Sequence, residues 1–457
     1  MGTAFGRGVA AMVASLPLAL LADAQSALPG DHPYHPFRSP FPSQVAGTTG
    51  EFRESYLFGD WLGVRSKLAA HGIKPALLLI SDPFGNVIGG QRRSFSNYAL
   101  LCLDLLLDTG ELFALPGGQF HVGFAVNFGT SLSRHYVGNN FPIQLADVAG
   151  TQPRLTYLSY TQALFDERVS IRLGRVTVNS VYGEEFMGSE YFKAFTSVGF
   201  DLVPLGLFLN APGAFGYPDT TWGARIRFEP VQQFYTMVGV YNGDPMVKEG
   251  NQHGLDFSLR GPPFAIGEIG FRWNYGKQPT GLVRNLKFGA YFNGGTFQVL
   301  NSGLAGQQTK NVHGIYGLYV LGDQVLLRWG DPGQTRHLGI FGAFNVVPAQ
   351  RVNSVPYFFD TGLVAYGLLP GRPKDFAALG VVYGSYSARL QQPEEFQSPA
   401  VPSIVMPNFE MTLEWTYGCR VKPGLVLQPG LQYLIHPKGN TAIPNALAMG
   451  INVVINF

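Results

Sequence analysis

From about residue 73 to the end of the chain, apolar and polar positions alternate. In segment 409–420, Phe409, Met411, Leu413, Trp415 and Tyr417 fall on one side of an extended backbone, and Glu410, Thr412, Glu414, Thr416, Gly418 and Arg420 on the other. Successive side chains of a strand point to opposite faces, so a period of two predicts β-strands. The same pattern sets Phe120, Val122, Phe124, Val126 and Phe128 against His121, Gly123, Ala125 and Asn127, and Trp222, Ala224, Ile226 and Phe228 against Arg225 and Arg227. It recurs with Ile269, Phe271, Trp273 and Tyr275 against Glu268, Arg272 and Asn274, and with Leu286, Phe288, Ala290 and Phe292 against Lys287, Tyr291 and Asn293. The final stretch, 445–457, places Leu447, Met449, Ile451, Val453, Ile455 and Phe457 on one face and Asn452 and Asn456 on the other.

A soluble sandwich would alternate too, with its apolar face inward. Three features favour a membrane barrel. The predicted spans cluster near ten residues, the length a tilted strand needs to cross a bilayer. Aromatic residues mark span ends, among them Trp273, Tyr275, Trp329, Trp415, Tyr417, Tyr433 and Phe457, as interfacial girdles require. Connections also alternate in length. Sixteen spans are predicted, at approximately 73–88, 97–107, 118–129, 153–163, 168–178, 221–228, 233–241, 265–275, 284–293, 312–329, 336–347, 356–368, 374–387, 407–419, 424–436 and 445–457. Connections 164–167, 229–232, 276–283, 330–335, 369–373 and 420–423 are short, whereas 130–152, 179–220, 242–264, 294–311 and 388–406 are longer. Short periplasmic turns opposite long outer loops are the arrangement of outer-membrane barrels. Backbone groups in lipid must be paired, so the last strand is expected to close on the first, and sixteen strands enclose an aqueous channel. The expected fold is therefore all-β, a transmembrane antiparallel β-barrel of about 16 strands over 73–457 whose polar face lines the lumen. The count rests most lightly on 73–88 and 356–387, where alternation is weak.

Residues 1–72 read differently. Arg7, the apolar stretch Gly8–Leu21 and the sequence Ala22-Asp23-Ala24 have the layout of a secretory signal peptide over 1–24, with a cut after Ala27 as the alternative. Residues 25–72 are expected to form a periplasmic N-terminal segment. Its part 31–43 is Pro-rich and aperiodic, and 59–73 predicts a short helix with Asp60 as N-cap, Trp61, Val64 and Leu68 on one face, and Gly72 closing it.

Composition agrees with a barrel. Charged residues make up 14% of the chain, against about 25% in a typical soluble domain. Beyond the leader no apolar run reaches about 18 residues, which excludes helical spans. A net charge of +2 without a Lys/Arg cluster gives no reason to expect nucleic acid. Cys102 and Cys419 fall in different predicted strands; a disulfide is permitted in an exported chain, but two cysteines do not make a framework.

Candidate chemistry concentrates in the longest connection, 179–220, which is aromatic and apolar as well as charged. Folded into the lumen, such a loop would bury that surface and form a constriction; packed on the outer rim, it would not. Sugar recognition needs flat aromatic faces and groups that replace water at hydroxyls. Glu184, Glu185, Glu190, Lys193 and Asp201 are candidates to face Arg172, Arg225, Arg227 and Arg272 on the wall, with Tyr182, Phe186, Tyr191 or Phe192 as stacking surfaces. Internal ion pairs that stiffen the barrel are the other reading of these charges. Glu410 and Glu414 invite a general acid/base reading, but paired luminal charges are common in pores, and no catalytic motif or metal-ligand spacing accompanies them. No cofactor and no enzymatic activity are expected. A barrel used only as the anchor of an enzyme or adhesin would need a catalytic cluster or a large surface domain, and neither is seen.

The segment GDWLGVRSKLAAHGI, 59–73, closely resembles the opening of the carbohydrate-selective porins of the OprB type. RLTYLSYTQALFDERVSIRLGR, TWGARIRFEP with YTMVGVYNGDP, GRPKD at 371–375, and LVLQPGLQYLIHPKGN with NALAMGINVVINF are similar to later blocks of that family, in the same order. The resemblance covers about 59–457. It implies a sixteen-stranded outer-membrane barrel of a Gram-negative bacterium that passes glucose and other small sugars by facilitated diffusion past an arginine-containing constriction. A general or anion-leaning pore for sugar acids is the alternative. Many members carry a Cys pair in the loop corresponding to 179–220, and this chain has none there. Phe457 resembles the C-terminal aromatic signal read by the barrel-assembly machinery. Lipid would cover the outer face, and the pore would act as a monomer or a homotrimer.

Overall fold

The computed structural model describes residues 55–457 except 148–149, 179–185, 202–209, 211–216, 218, 244–252, 256, 258, 275–280, 304–307, 331–335 and 391–407. The expected leader and the Pro-rich stretch lie outside the described residues.

Sixteen antiparallel strands form a closed barrel in which each strand pairs with its sequence neighbours and the last with the first. They are β1 (Ile73–Ile88), β2 (Ser94–Asp108), β3 (Gly118–Gly129), β4 (Arg154–Leu164), β5 (Val169–Val176), β6 (Thr221–Val231), β7 (Phe234–Asn242) and β8 (Pro263–Trp273). The second half comprises β9 (Arg284–Gln298), β10 (Asn311–Arg328), β11 (His337–Val346), β12 (Tyr357–Tyr366), β13 (Phe376–Ser385), β14 (Phe409–Lys422), β15 (Leu425–Ile435) and β16 (Ala446–Asn456). Each predicted span has a strand in its place, including the weakly alternating 73–88 and 356–387.

Burial decides which face is which. On β14, Trp415 is 50% exposed while Glu410 and Glu414 are 0% exposed, the reverse of a soluble sandwich. Leu103, Phe124, Ile226, Val238 and Leu379 are likewise exposed on the outside, forming an apolar belt of the kind that membrane barrels present. Among the described residues no helix is long and apolar enough to cross a membrane. The two cysteines are free.

Inside the barrel, several tyrosines lie flat on glycines of the adjacent strand. Tyr235 is opposite Gly270, Tyr319 opposite Gly289 and Tyr291 opposite Gly317. A Cβ on any of these glycines would sit 2.0–2.3 Å from the ring, so only glycine lets the rings lie against the wall.

The segment before the barrel departs from expectation. A single 3₁₀ turn, Trp61–Gly63, with Asp60 at its N-cap position, precedes a helix α1 over Val64–Ala70, whose own N-cap position is Gly63 in left-handed conformation. Asp60 accepts from the N–H and hydroxyl of Ser66, at 2.7 and 2.8 Å. The buried face carries Arg65 and Ala69, whereas Val64 is exposed. The reason lies in the barrel seam. β1 pairs with β2 from Ile73 onward, but with β16 only from Leu78, which leaves its first residues without a β16 partner. Pro75, lacking an N–H, suits that edge. Arg65 caps it, donating to Pro75 O (3.2 Å) and Phe457 O (2.6 Å), with its guanidinium 3.8 and 4.0 Å from the ring centroids of Tyr56 and Trp61.

Sequence reading also missed a helix α2, Thr109–Phe113, in the β2–β3 turn, where Asp108 accepts from Gly110 N and Glu111 N. On the same side, the β12–β13 turn is fastened by Asp375. Arg372 donates to both its oxygens (2.7 and 2.9 Å), Tyr417 OH at 2.6 Å and Arg420 N at 3.0 Å. Burial alone would raise the Asp375 pKa, but the bonds from Arg372, Tyr417 and Arg420 outweigh it and hold the carboxyl below its ordinary value. A carboxyl with a depressed folded pKa stabilises fully above its unfolded pKa, about 4, and that stability drains as pH falls through the folded pKa. The thermal unfolding temperature of the wild type is therefore expected to fall below about pH 4, with Asp375→Asn lower at neutral pH and less sensitive to acid.

Candidate functional site

Two outer loops fold into the lumen, and carboxylates of the wall hold them by their backbone. Carbonyls of a wall strand are largely spent on the ladder, although Asp82 O also accepts from the Gln144 amide at 2.6 Å. Buried carboxylates supply the acceptors that loop N–H groups need.

Glu414 on β14 accepts from Thr196 N (2.6 Å), Thr196 Oγ1 (2.7 Å) and Ser197 N (3.0 Å). Four residues earlier, Glu410 accepts from Asn140 N (2.9 Å), Phe141 N (2.7 Å) and Lys438 N (2.6 Å). Glu268 on β8 accepts from Met187 N (2.8 Å) and from the hydroxyls of Tyr235 (2.7 Å) and Tyr319 (2.8 Å). Asp82 on β1 accepts from Ala146 N at 2.7 Å and from the Asn452 amide. Glu410 and Glu414 are thus loop anchors, which leaves the acid/base reading without a free carboxylate. The two loops also bond each other: Val198 N donates to Pro142 O at 3.0 Å.

Aromatic packing reinforces these bonds. Phe195 and Phe200 stack with centroids 4.0 Å apart against Gly380, where a Cβ would lie 2.7–2.8 Å from both rings. Tyr191 lies over Gly339 and stacks on Phe341 at 6.3 Å; Phe192 meets Phe341 edge-on at 5.3 Å. Phe186 and Met187 pack among Tyr235, Tyr241, Tyr291 and Tyr319. Tyr191, Phe192 and Phe186 therefore turn their rings to the wall, where they hold the loop instead of presenting faces to a solute. Lys193 alone in the run Tyr191–Phe195 is exposed.

The arginines gather beside the start of this loop. Arg172 on β5 and Arg225 on β6 are direct cross-strand neighbours. Arg225 donates to Ser170 Oγ at 2.8 Å; Arg172 donates to Ser159 Oγ at 3.2 Å and approaches His121 Nδ1 at 3.3 Å. An arginine can only donate, so that contact makes Nδ1 the acceptor and puts the ring proton on Nε2, 2.7 Å from Asp104 Oδ1. His121 also stacks on Tyr157 at 4.3 Å. Glu229 binds both Arg227, at 3.0 Å, and Arg272, and Arg227 lies 3.9 Å over the Tyr235 ring. Since Tyr235 bonds Glu268 and Glu268 bonds Met187, the basic wall and the loop share one network.

Glu184, Glu185 and Tyr182 lie outside the described residues, as do the side chains of Glu190 and Asp201. The loop 130–153 was not foreseen as an in-folded element, although Phe141, Ile143 and Ala146 are fully buried in it; its apolar run FPIQLA was the available signal. Among the described residues, no group of three or more His, Cys, Asp or Glu could hold a metal.

The comparisons agree with this architecture. Porin B of Pseudomonas aeruginosa is 24% identical over 428 residues, covering 88% of this chain and 91% of that protein. The putative porin QuiX of Acinetobacter baylyi is 21% identical over 430 residues, covering 88% and 93%. The high-pH structure of Pseudomonas putida OprB superposes with a TM-score of 0.80 at 22% identity, covering 89% of this chain and 99% of that one, which supports the fold. Residues 92–457 match the model of one family. With a closed barrel of this size, an inward polar face and in-folded loops, the chain belongs to the carbohydrate-selective porins of the OprB family.

Proposed function

We propose that the chain conducts monosaccharides such as glucose by facilitated diffusion, past a constriction formed where the loop 186–201 meets Arg172, Arg225, Arg227 and Arg272. Under the same proposal, Glu184, Glu185, Glu190 and Lys193 are the loop charges that act with those arginines. The observation that carries this reading is the shared network of Arg227, Tyr235, Glu268 and Met187, which fixes hydrogen-bond donors and a narrowing loop in one place. Reconstituted vesicles should swell faster in glucose than protein-free vesicles, and equal rates would end the proposal.

A second reading, a preference for sugar acids, is favoured by the cross-strand pair Arg172 and Arg225. Under it, Arg172→Ala with Arg225→Ala should shift the bilayer reversal potential in a salt gradient toward cations while glucose swelling persists. An unchanged reversal potential would remove the reading.

The same proposal places residues 1–24 as a removed leader and Phe457 as an insertion signal. Deleting Phe457 should reduce the amount of barrel in the outer membrane more than the conductance of each channel that does insert. Normal membrane levels of the deletion would count against that role.

A further inference from the structure

The segment before β1 carries an apolar tip that the barrel does not cover. Leu62 is 106% exposed, Phe58 62% and Val64 49%. The backbone beneath the tip is unusual: Trp61 and Leu62 have φ of 49° and 60°, the left-handed region that side chains other than glycine seldom occupy. It is held there by Gly63 N and Arg65 N, both donating to Asp60 O at 2.9 and 3.2 Å. The turn sets Trp61 over Arg65 but leaves Leu62 packed on nothing, and a strained turn that presents a leucine to water points to a functional surface.

The tip is continuous with the lipid-facing belt. Phe58 lies 5.7 Å from the Phe457 ring. Phe457 donates its N–H to Leu77 O and has the parity of the outward residues Ile455, Val453 and Ile451. Lys67, exposed one turn after Val64, adds a cation beside the apolar tip. Apolar side chains with a neighbouring cation suit a lipid interface.

We propose that Phe58, Leu62 and Val64 form a wedge that embeds the pre-barrel segment in the periplasmic leaflet of the membrane, beside the barrel seam. The occupant of this surface is phospholipid, with acyl chains against Leu62 and headgroup phosphate within reach of Lys67. The segment is then a membrane-bound collar and not a strand of chain free in the periplasm.

The test uses the full chain with Cys102→Ala and Cys419→Ala, carrying an environment-sensitive fluorophore on Leu62→Cys, in phosphatidylethanolamine and phosphatidylglycerol vesicles whose acyl chains are brominated. The label should be quenched as strongly as one on Leu431→Cys in the belt, and several-fold more than one on Ala70→Cys. Quenching no greater than at Ala70 overturns the proposal. So does a blue-shifted label that bromine fails to quench, because that outcome means protein covers the tip. An attached dye can itself seek lipid, so a second variant is needed. Leu62→Asp with Val64→Asp should keep conductance and heat-dependent gel mobility, yet be cut by trypsin at Lys67 several-fold faster in vesicles. An unchanged cleavage rate would equally overturn it.

Discussion

Replacing Glu414 with alanine is expected to turn a steady open-channel current into one with frequent excursions to higher conductance. The substitution removes the acceptor for Thr196 N, Thr196 Oγ1 and Ser197 N. Two backbone donors then stay buried without a partner, at a cost of roughly 1–3 kcal/mol each. Lifting the loop to water relieves that cost but uncovers Phe195 and Phe200, whose burial is worth about 1.5–3 kcal/mol per ring. The two sums are comparable, so both positions are populated, and the wider one carries more current. Phe195→Ala added to Glu414→Ala removes about half of the opposing term, tips the balance to the lifted position, and should leave the channel wider for most of the record, with weaker block by sugar. Glu414→Gln keeps one acceptor oxygen and should be intermediate. A quiet, unaltered current in Glu414→Ala would show that the loop is held mainly by its aromatic residues. Planar-bilayer recordings at low protein density decide the matter.

The second large effect is expected at the seam. Arg65→Ala removes two bonds from a charged donor, worth about 1.5–3 kcal/mol each, and two contacts with aromatic faces of about 0.5–2 kcal/mol each. It also exposes the carbonyls of Pro75 and Phe457. The barrel should lose its heat-resistant gel mobility at a clearly lower temperature than the wild type. Arg65→Lys should recover little, because a single ammonium cannot reach both carbonyls while stacked between Tyr56 and Trp61. Equal transition temperatures for Arg65→Ala and wild type would mean that the collar contributes nothing to barrel stability.

Nearly all of the barrel was legible in the sequence because its one physical rule, lipid outside and water inside, acts on every second residue of every strand. Even 73–88 and 356–387, where alternation is faint, follow from closure. The constriction was legible only in part. Arg225, Arg227 and Arg272 could be assigned to the inner face by parity, and the apolar excess of 179–220 marked a loop that needed burial. Which rings face solute and which face wall depends on where glycines such as Gly339 and Gly380 leave room, and those lie some 150 to 190 residues further along the chain. Glu410 and Glu414 looked alike in sequence as luminal charges, yet each is committed to a different loop. The helix before the barrel misled for a related reason. Its helical periodicity grouped Trp61, Val64 and Leu68 on one face, whereas the buried residues are Arg65 and Ala69, because the local need is a cation at an unpaired strand edge.

The bond between Arg65 and Phe457 spans 392 residues of chain. A contact of that separation cannot form while the sheet is open, since its two halves belong to the first and last pieces of the structure to meet. The bond is therefore specific to correct closure: a chain that closed with β1 and β16 out of register would place Phe457 O beyond the reach of Arg65 and leave the segment before β1 undocked. Exposure of the 56–70 segment to protease during refolding would then report the moment of correct closure, distinguishing a finished channel from a barrel that has merely gained its strands.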